Sequence, residues 1–251
     1  MSMVEGSVFV VTAMPEERAP LLARAADVRR MADGLYEGRL GGAPVVLAAT
    51  GEGPTKAARG AAALCSAYRP AAFLGVGVAG AISEELSEGE ILVSRLVRDD
   101  AGEAPPPDTR LVSGALAILG ARGGTFRTIS SLASTPRQKA ALAAGLPEGA
   151  AAVDMESASW ARAAAAAGVP YLVVRAISDE LEEGVPAYLS DCLDKEGGIR
   201  RSALILGAVT HPWRIPGLLR MRSRVRDCGQ RLAAFIERFV SDTWGAGSRR
   251  G

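Results

Sequence analysis

An α/β fold, with helices on both faces of one sheet, is predicted by three features of this chain. Short β-branched and apolar runs alternate with alanine-rich helical patterns. Polar and acidic residues collect where several of those runs end. At 251 residues, 48% hydrophobic and 23% charged, the chain is long enough to bury one full core.

Each element is read from its own signals. "SVFVVTAM" (7–14) is a buried strand, followed by a helix in "PEERAPLLARAA" (15–26) with Pro15 in its first turn. "GLYEGRLGGAPVVLAATG" (34–51) is a hairpin turning at "RLGGAP". "TKAARGAAALCSAY" (55–68) is a helix stopped by Pro70; "AAFLGVGVA" (71–79) and "GEILVSRLVRD" (89–99) are strands. A Pro-rich loop (99–109) leads to a helix in "SGALAILGA" (113–121) and a strand in "GTFRTISSLAS" (124–134). "TPRQKAALAAGL" (135–146) starts a helix, and "GAAAVDMES" (149–157) is a strand ending in acids. "ASWARAAAAAG" (158–168) is a helix closed by Gly168, and "PYLVVRAISDE" (170–180) a last strand with a polar end.

Beyond Pro216, Leu218, Met221, Val225, Cys228, Leu232, Phe235 and Phe239 recur at alternating three and four, with arginines mostly on the other faces. This predicts an amphipathic helix over 216–239 that packs on the domain or on a second subunit; a basic membrane-surface helix is the alternative. A single domain over 1–243 with a disordered tail at 244–251 completes the expected organisation.

Composition narrows the partners. A formal net charge of +1 and 5% aromatic residues argue against nucleic acid and for a small molecule. Cys65, Cys192 and Cys228 are scattered and odd in number, and His211 is the single histidine. Neither a disulfide framework nor a metal site is expected, and the cysteines read as buried small hydrophobes in a reducing cytoplasm. The N-terminal run lacks the basic flank of a signal peptide, and no apolar stretch approaches the ~20 residues of a membrane span.

"FLGVGVAGAIS" (73–83) carries Gly75, Gly77 and Gly80 at the spacing of a dinucleotide fingerprint, with Asp99 and Asp100 further on. A dinucleotide site needs a long helix directly after the glycines to receive the pyrophosphate. Here at most one or two turns fit before Gly89, so an oxidoreductase is disfavoured. Glycines after a strand do allow close backbone approach by another ligand. Three strand ends supply groups beside them: Glu16 and Glu17; Asp154 and Glu156, expected on one strand face because they are two apart; and Ser178 and Asp179. Any one of these acids reads equally well as a helix cap; together they outline an acidic pocket.

In that combination the chain resembles the nucleoside phosphorylase and nucleosidase superfamily, especially the methylthioadenosine/S-adenosylhomocysteine nucleosidases. The likeness runs through "VVTAMPEERAPL", "TGEGPTKAA", "GVGVAGAISEELSEGEILVS" and "AAVDMESASWARAAAAAGVPYLVVRAISD", most of residues 7–180. It implies a three-layer αβα sandwich around a twisted mixed sheet. It also implies cleavage of the N-glycosidic bond of a purine (adenine) nucleoside, with no cofactor and a homodimeric assembly. By the same resemblance Glu17 activates water, Glu156 binds the ribose hydroxyls, Met155 packs under the sugar, and Asp179 protonates the purine. Val78, Ala79, Gly80, Ser178 and a loop near Leu132 line the base and sugar region. The implied division of charge is a neutral Asp179, kept so by burial, beside a charged Glu156.

Departures from that pattern concern the 5′ end of the sugar. Val78 stands where these nucleosidases carry a small hydroxyl residue, Glu52 where an apolar residue meets the 5′ substituent, and Pro54 and Lys56 where lysine and asparagine are usual. A modified 5′ group is therefore expected. Phosphorolysis would draw on Thr50, Gly51 and Arg18, with Lys56, as candidate phosphate contacts, so water and phosphate both stay open as nucleophile. The stretch 193–225 is more loosely similar to the hopanoid-associated phosphorylase branch, which raises an adenosyl-hopanoid substrate and peripheral membrane contact through 216–226. A non-catalytic nucleoside-binding protein is the alternative of another class.

Overall fold

The computed structural model describes residues 6–31, 34–184 and 215–245. His211, Cys192 and most of the 193–225 stretch lie outside the described residues. In chain order the elements are β1 (Val8–Thr12), α1 (Pro15–Arg24), β2 (Ala26–Arg30), β3 (Tyr36–Leu40), β4 (Ala43–Ala49), α2 (Pro54–Tyr68), β5 (Ala72–Ala81), β6 (Ile91–Asp99) and β7 (Gly102–Glu103). They continue with α3 (Thr109–Leu116), β8 (Ala121–Thr128), α4 (Pro136–Ala143), β9 (Ala151–Asp154), α5 (Ser157–Ala166), β10 (Tyr171–Asp179) and α6 (Ile215–Trp244).

Strand alternation builds the layers. On β1, Phe9 and Val11 face a core shared with α2 and α5, while Val8 and Val10 face one shared with α1, α3 and α6. On β10, Tyr171, Val173 and Ile177 join the first core and Leu172, Val174 and Ala176 the second. Helices thus cover both faces of the sheet, as the three-layer expectation requires.

The sheet is mixed. β5 runs parallel to β1 and β10, and β1 parallel to β4. β10 also pairs β6 antiparallel, β6 pairs β8 and β8 pairs β9 in parallel, and β9 returns antiparallel to the end of β5 through Gly80 and Ala81. The strands β5, β10, β6, β8 and β9 therefore close a ring, which a plain sandwich lacks. Closure brings the ends of β5, β9 and β10 to one rim.

Local chemistry explains most boundaries. Asp108 accepts from the Arg110 and Leu111 amides to start α3, and Thr135 and Gln138 form a capping box on α4. The strand β2 was not expected: "ADVRR" is polar and exposed throughout. It is an edge strand held by pairing to β3, and its arginines suit an unprotected edge.

The C-terminal helix continues to Trp244, five residues past the expected limit, so the predicted tail start at 244 is corrected. Cys228, Leu232, Phe235, Ile236, Phe239 and Val240 are buried in the second core, which places this part of the stripe against the domain itself. The fingerprint glycines are likewise not in a loop. All three lie within β5, with no helix among the nine residues that follow it.

Candidate active site

Ligands of parallel strands sit beyond their carboxyl ends, and here β1, β4, β5 and β10 deliver polar residues to one edge. Glu17, the third residue of α1, reaches back over β1. Its Oε2 accepts from the Ala13 and Met14 amides at 3.1 Å each, the local role of a helix-start glutamate. Its Oε1 accepts from the Val78 amide at 3.2 Å, a contact 61 residues away that capping does not require. Burial pushes the Glu17 carboxyl up, against the pull of Arg175 and these three amides.

Arg175 organises the interior. It is 1% exposed, with Nη2 2.8 Å from Asp154 Oδ2 and 3.3 Å from Glu156 Oε2, and its guanidinium lies 4.8 Å from the centre of the Trp160 ring. Desolvation works against its charge, but Asp154, Glu156 and Glu17 together outweigh that and raise its pKa. Trp160 in turn donates from Nε1 to Thr50 Oγ1 at 3.1 Å.

Glu156 is also buried. Its Oε1 accepts from the Gly53 amide at 3.0 Å. Burial, opposed by Arg175 and reinforced by Asp154 and Glu17, raises its pKa to about 7. Asp154 and Glu156 do not share a strand face as the spacing suggested: β9 stops at Asp154, and Glu156 is the residue that opens α5. Asp154 instead binds Thr128 Oγ1 at 2.8 Å, the Ser157 hydroxyl and Arg175, a framework role.

At the other end of the rim, β10 carries a bulge at Ser178 that sets Asp179 beside Gly80. Ser178 Oγ donates to Asp179 Oδ1 at 2.6 Å and to the Ala79 carbonyl at 3.2 Å. Asp179 Oδ2 is ion-paired to Lys139 of α4, whose ammonium also donates to the Glu180 carbonyl at 2.6 Å. Asp179 therefore faces a buried cation rather than an apolar pocket. Across the rim, burial pushes Glu17 and Glu156 towards neutrality, where a charged Glu156 was expected.

Three residues of β5 join these groups. Val78 donates to Glu17 and its carbonyl accepts from Arg175 at 3.4 Å; Ala79 accepts from Ser178; Gly80 adjoins Asp179. The glycines make room for this. A Cβ on Gly75 would lie 2.5 Å from the Trp160 ring, one on Gly77 would strike Arg175 and Glu17, and one on Gly80 would lie 2.8 Å from Asp179 Oδ2. Side chains, not a pyrophosphate, occupy the space they leave.

Known proteins share both the sequence pattern and the fold. Residues 7–197 match the family model described as Phosphorylase superfamily. The chain belongs to the phosphorylase superfamily. A 5′-methylthioadenosine/S-adenosylhomocysteine nucleosidase from Marinomonas sp. is 31% identical over 195 residues, covering 68% of this chain and 84% of that protein. One from Exiguobacterium sp. is 30% identical over 197 residues, covering 70% and 83%. Among solved structures, the Neisseria meningitidis nucleosidase of that name, in complex with methylthio-immucillin-A, superposes with a TM-score of 0.73 at 19% identity, covering 94% of this chain and 99% of that one. The S. pneumoniae nucleosidase with the transition-state inhibitor MT-ImmA gives 0.71 at 20%, covering 94% and 98%.

Within this phosphorylase-superfamily fold, the other expected site residues fall as follows. Met155 is half-buried between β9 and α5, next to Glu156, and Leu132 is half-buried in the loop between β8 and α4. Glu52 precedes Gly53, the amide that holds Glu156. The candidate phosphate contacts do not converge. Arg18 turns towards β3, donating to the Gly34 carbonyl at 2.9 Å and stacking 4.7 Å from the Tyr36 ring centre. The amides of Thr50 and Gly51 donate to the Thr12 and Ala13 carbonyls, and the Lys56 side chain packs beside Gly51.

Two residues escaped the sequence reading. Arg175 stands in the quoted "VRAISDE", yet a charged residue inside an apolar strand passes as an outward-facing position. Lys139 sits in an unremarkable helical pattern. An arginine at a strand position whose neighbours two away are buried is the one signal that was available.

Proposed function

We propose that the protein hydrolyses the N-glycosidic bond of an adenine nucleoside carrying a modified 5′ group. The observation that carries this reading is the gathering of Glu17 and Asp179 along Val78–Gly80, with Glu156 joined to Val78 through Arg175. Glu17, its carboxylate oriented by three amides, takes a proton from the attacking water. Glu156 receives the ribose hydroxyls, and its negative charge stabilises the oxocarbenium-like sugar as the bond breaks. Asp179 passes a proton to the departing base, with Ser178 fixing its rotamer. Met155 packs under the sugar, Leu132 covers the base, and Glu52 and Val78 border the 5′ group.

Water is favoured over phosphate because Arg18 is held by Gly34 and Tyr36 and the Thr50 and Gly51 amides are engaged. A dianion would also meet Glu17. The relatives reported above are nucleosidases and lend the adenosyl-hopanoid alternative no support. Arg224, one of the arginines of the 216–226 segment, is paired to Glu183 and Glu88. Among the described residues no helix is long and apolar enough to cross a membrane. Homodimer formation, a cytoplasmic location and peripheral membrane contact belong to this same proposal, and sedimentation and vesicle flotation test them.

The activity test offers 5′-methylthioadenosine, adenosine and an adenosyl lipid, each with and without phosphate. Adenine and a free sugar, formed at the same rate in both buffers, are expected from the first. A sugar 1-phosphate would replace hydrolysis by phosphorolysis. Adenine release from none of them would leave a nucleoside-binding protein.

A further inference from the structure

Lys139 is 0% exposed and lies in the N-terminal half of α4. Both facts make a cation costly there: burial removes its hydration, and the helix dipole places partial positive charge at that end. An apolar side chain of the same length would suit α4 better. The ammonium is turned across to β10, where it pairs with Asp179 Oδ2 and donates to the Glu180 carbonyl. Asp179 Oδ1 meanwhile accepts from Ser178. Both oxygens of the carboxylate are thus acceptors, one from the Ser178 hydroxyl and one from the lysine ammonium.

Resting on the nucleosidase reading, we infer that Lys139 is a positioning residue that holds the proton Asp179 delivers to the departing base. When the glycosidic C–N bond breaks, its electron pair stays on the base nitrogen. One proton passes from the Lys139 ammonium to the Asp179 carboxylate and from Asp179 to that base. The lysine is left as a neutral amine, which regains its proton from water once the base has gone. The carboxylate begins and ends the cycle without a proton, and the alkylammonium supplies the one that the base takes. A purine needs this proton to leave; a nitrophenolate does not.

That difference in leaving group is the test. The variants are K139M, which removes the ammonium and keeps the stem, and K139R, which keeps a cation but does not release its proton at accessible pH. Each is assayed with 5′-methylthioadenosine and with 4-nitrophenyl β-D-riboside. Both variants should lose about 10²-fold or more in kcat on the nucleoside with KM little changed, while nitrophenyl riboside turnover falls far less. Equal losses on both substrates would mean Lys139 is structural and would overturn the inference. So would a K139R enzyme that cleaves the nucleoside like the wild type, since charge alone would then suffice. A wild type that releases adenine from no nucleoside overturns the nucleosidase reading, and this role with it. Wild-type adenine release unaffected by either variant overturns the inference alone.

Discussion

Glu156 Oε2 lies 3.3 Å from Arg175 Nη2 in the interior, and the same guanidinium also serves Asp154 and lies close to Glu17. One cation faces three carboxyls, so negative charge stays in excess even when one of them takes a proton. Burial raises both Glu17 and Glu156, the latter to about 7, so Glu156 gains its negative charge as pH rises through neutrality.

This sets a pH dependence of stability. Below about 4.5 Glu156 is protonated in folded and unfolded chains alike, so it neither helps nor harms. As pH rises towards about 7 the unfolded chain releases that proton first, and the stability Glu156 contributes falls, levelling off above. The loss is on the order of 3 kcal/mol. Chemical denaturation at pH 5 and pH 8 should show E156Q gaining relative to the wild type as pH rises. A difference independent of pH would contradict the assignment.

Removing the shared cation should cost more. R175M leaves Asp154, Glu156 and Glu17 without their common partner, for which about 3–5 kcal/mol is expected at pH 8. The cost should shrink at pH 5, where Glu156 is neutral. Urea midpoints at the two pH values measure both.

The glycines of β5 make a steric prediction. G75A pushes on the Trp160 ring and G77A on Arg175 and Glu17, so each should lose about 1–3 kcal/mol by thermal or urea unfolding. G77A should in addition lose nucleoside cleavage, because the two side chains it displaces are the proposed base and the cation beside it. A G77A enzyme as active as the wild type would remove Glu17 from the mechanism.

Glu17 itself is tested by E17Q. The amide oxygen can still accept from the α1 start, so folding should survive, while kcat falls about 10²- to 10⁴-fold. Adenine affinity, measured by calorimetry, should stay unchanged.

Burial also accounts for the cysteines. Cys65 and Cys228 are buried, and the Cys65 thiol is pushed up to about 11. Alkylation by a neutral thiol reagent at pH 8 should therefore be slow at both in the folded protein and fast after denaturation.

Much of this protein was determined by the sequence alone. Continuous apolar runs located β1, β5 and β10, and helical patterns located α2, α5 and the amphipathic stripe of α6, because such patterns report burial directly. The acids Glu17, Glu156 and Asp179 were legible because they stand at the ends of apolar strands. Hidden from the sequence were β2, which exists through pairing to β3 rather than through any propensity of "ADVRR", and the closing of the ring from β5 to β9. Only the tertiary structure decided what the three glycines are for, and which carboxyl faces which cation. Charge pairing acts over a few ångströms between residues as distant in sequence as 139 and 179, and no local pattern records such a meeting. For the same reason Arg175 and Lys139 passed as ordinary positions until the fold placed them among the acids.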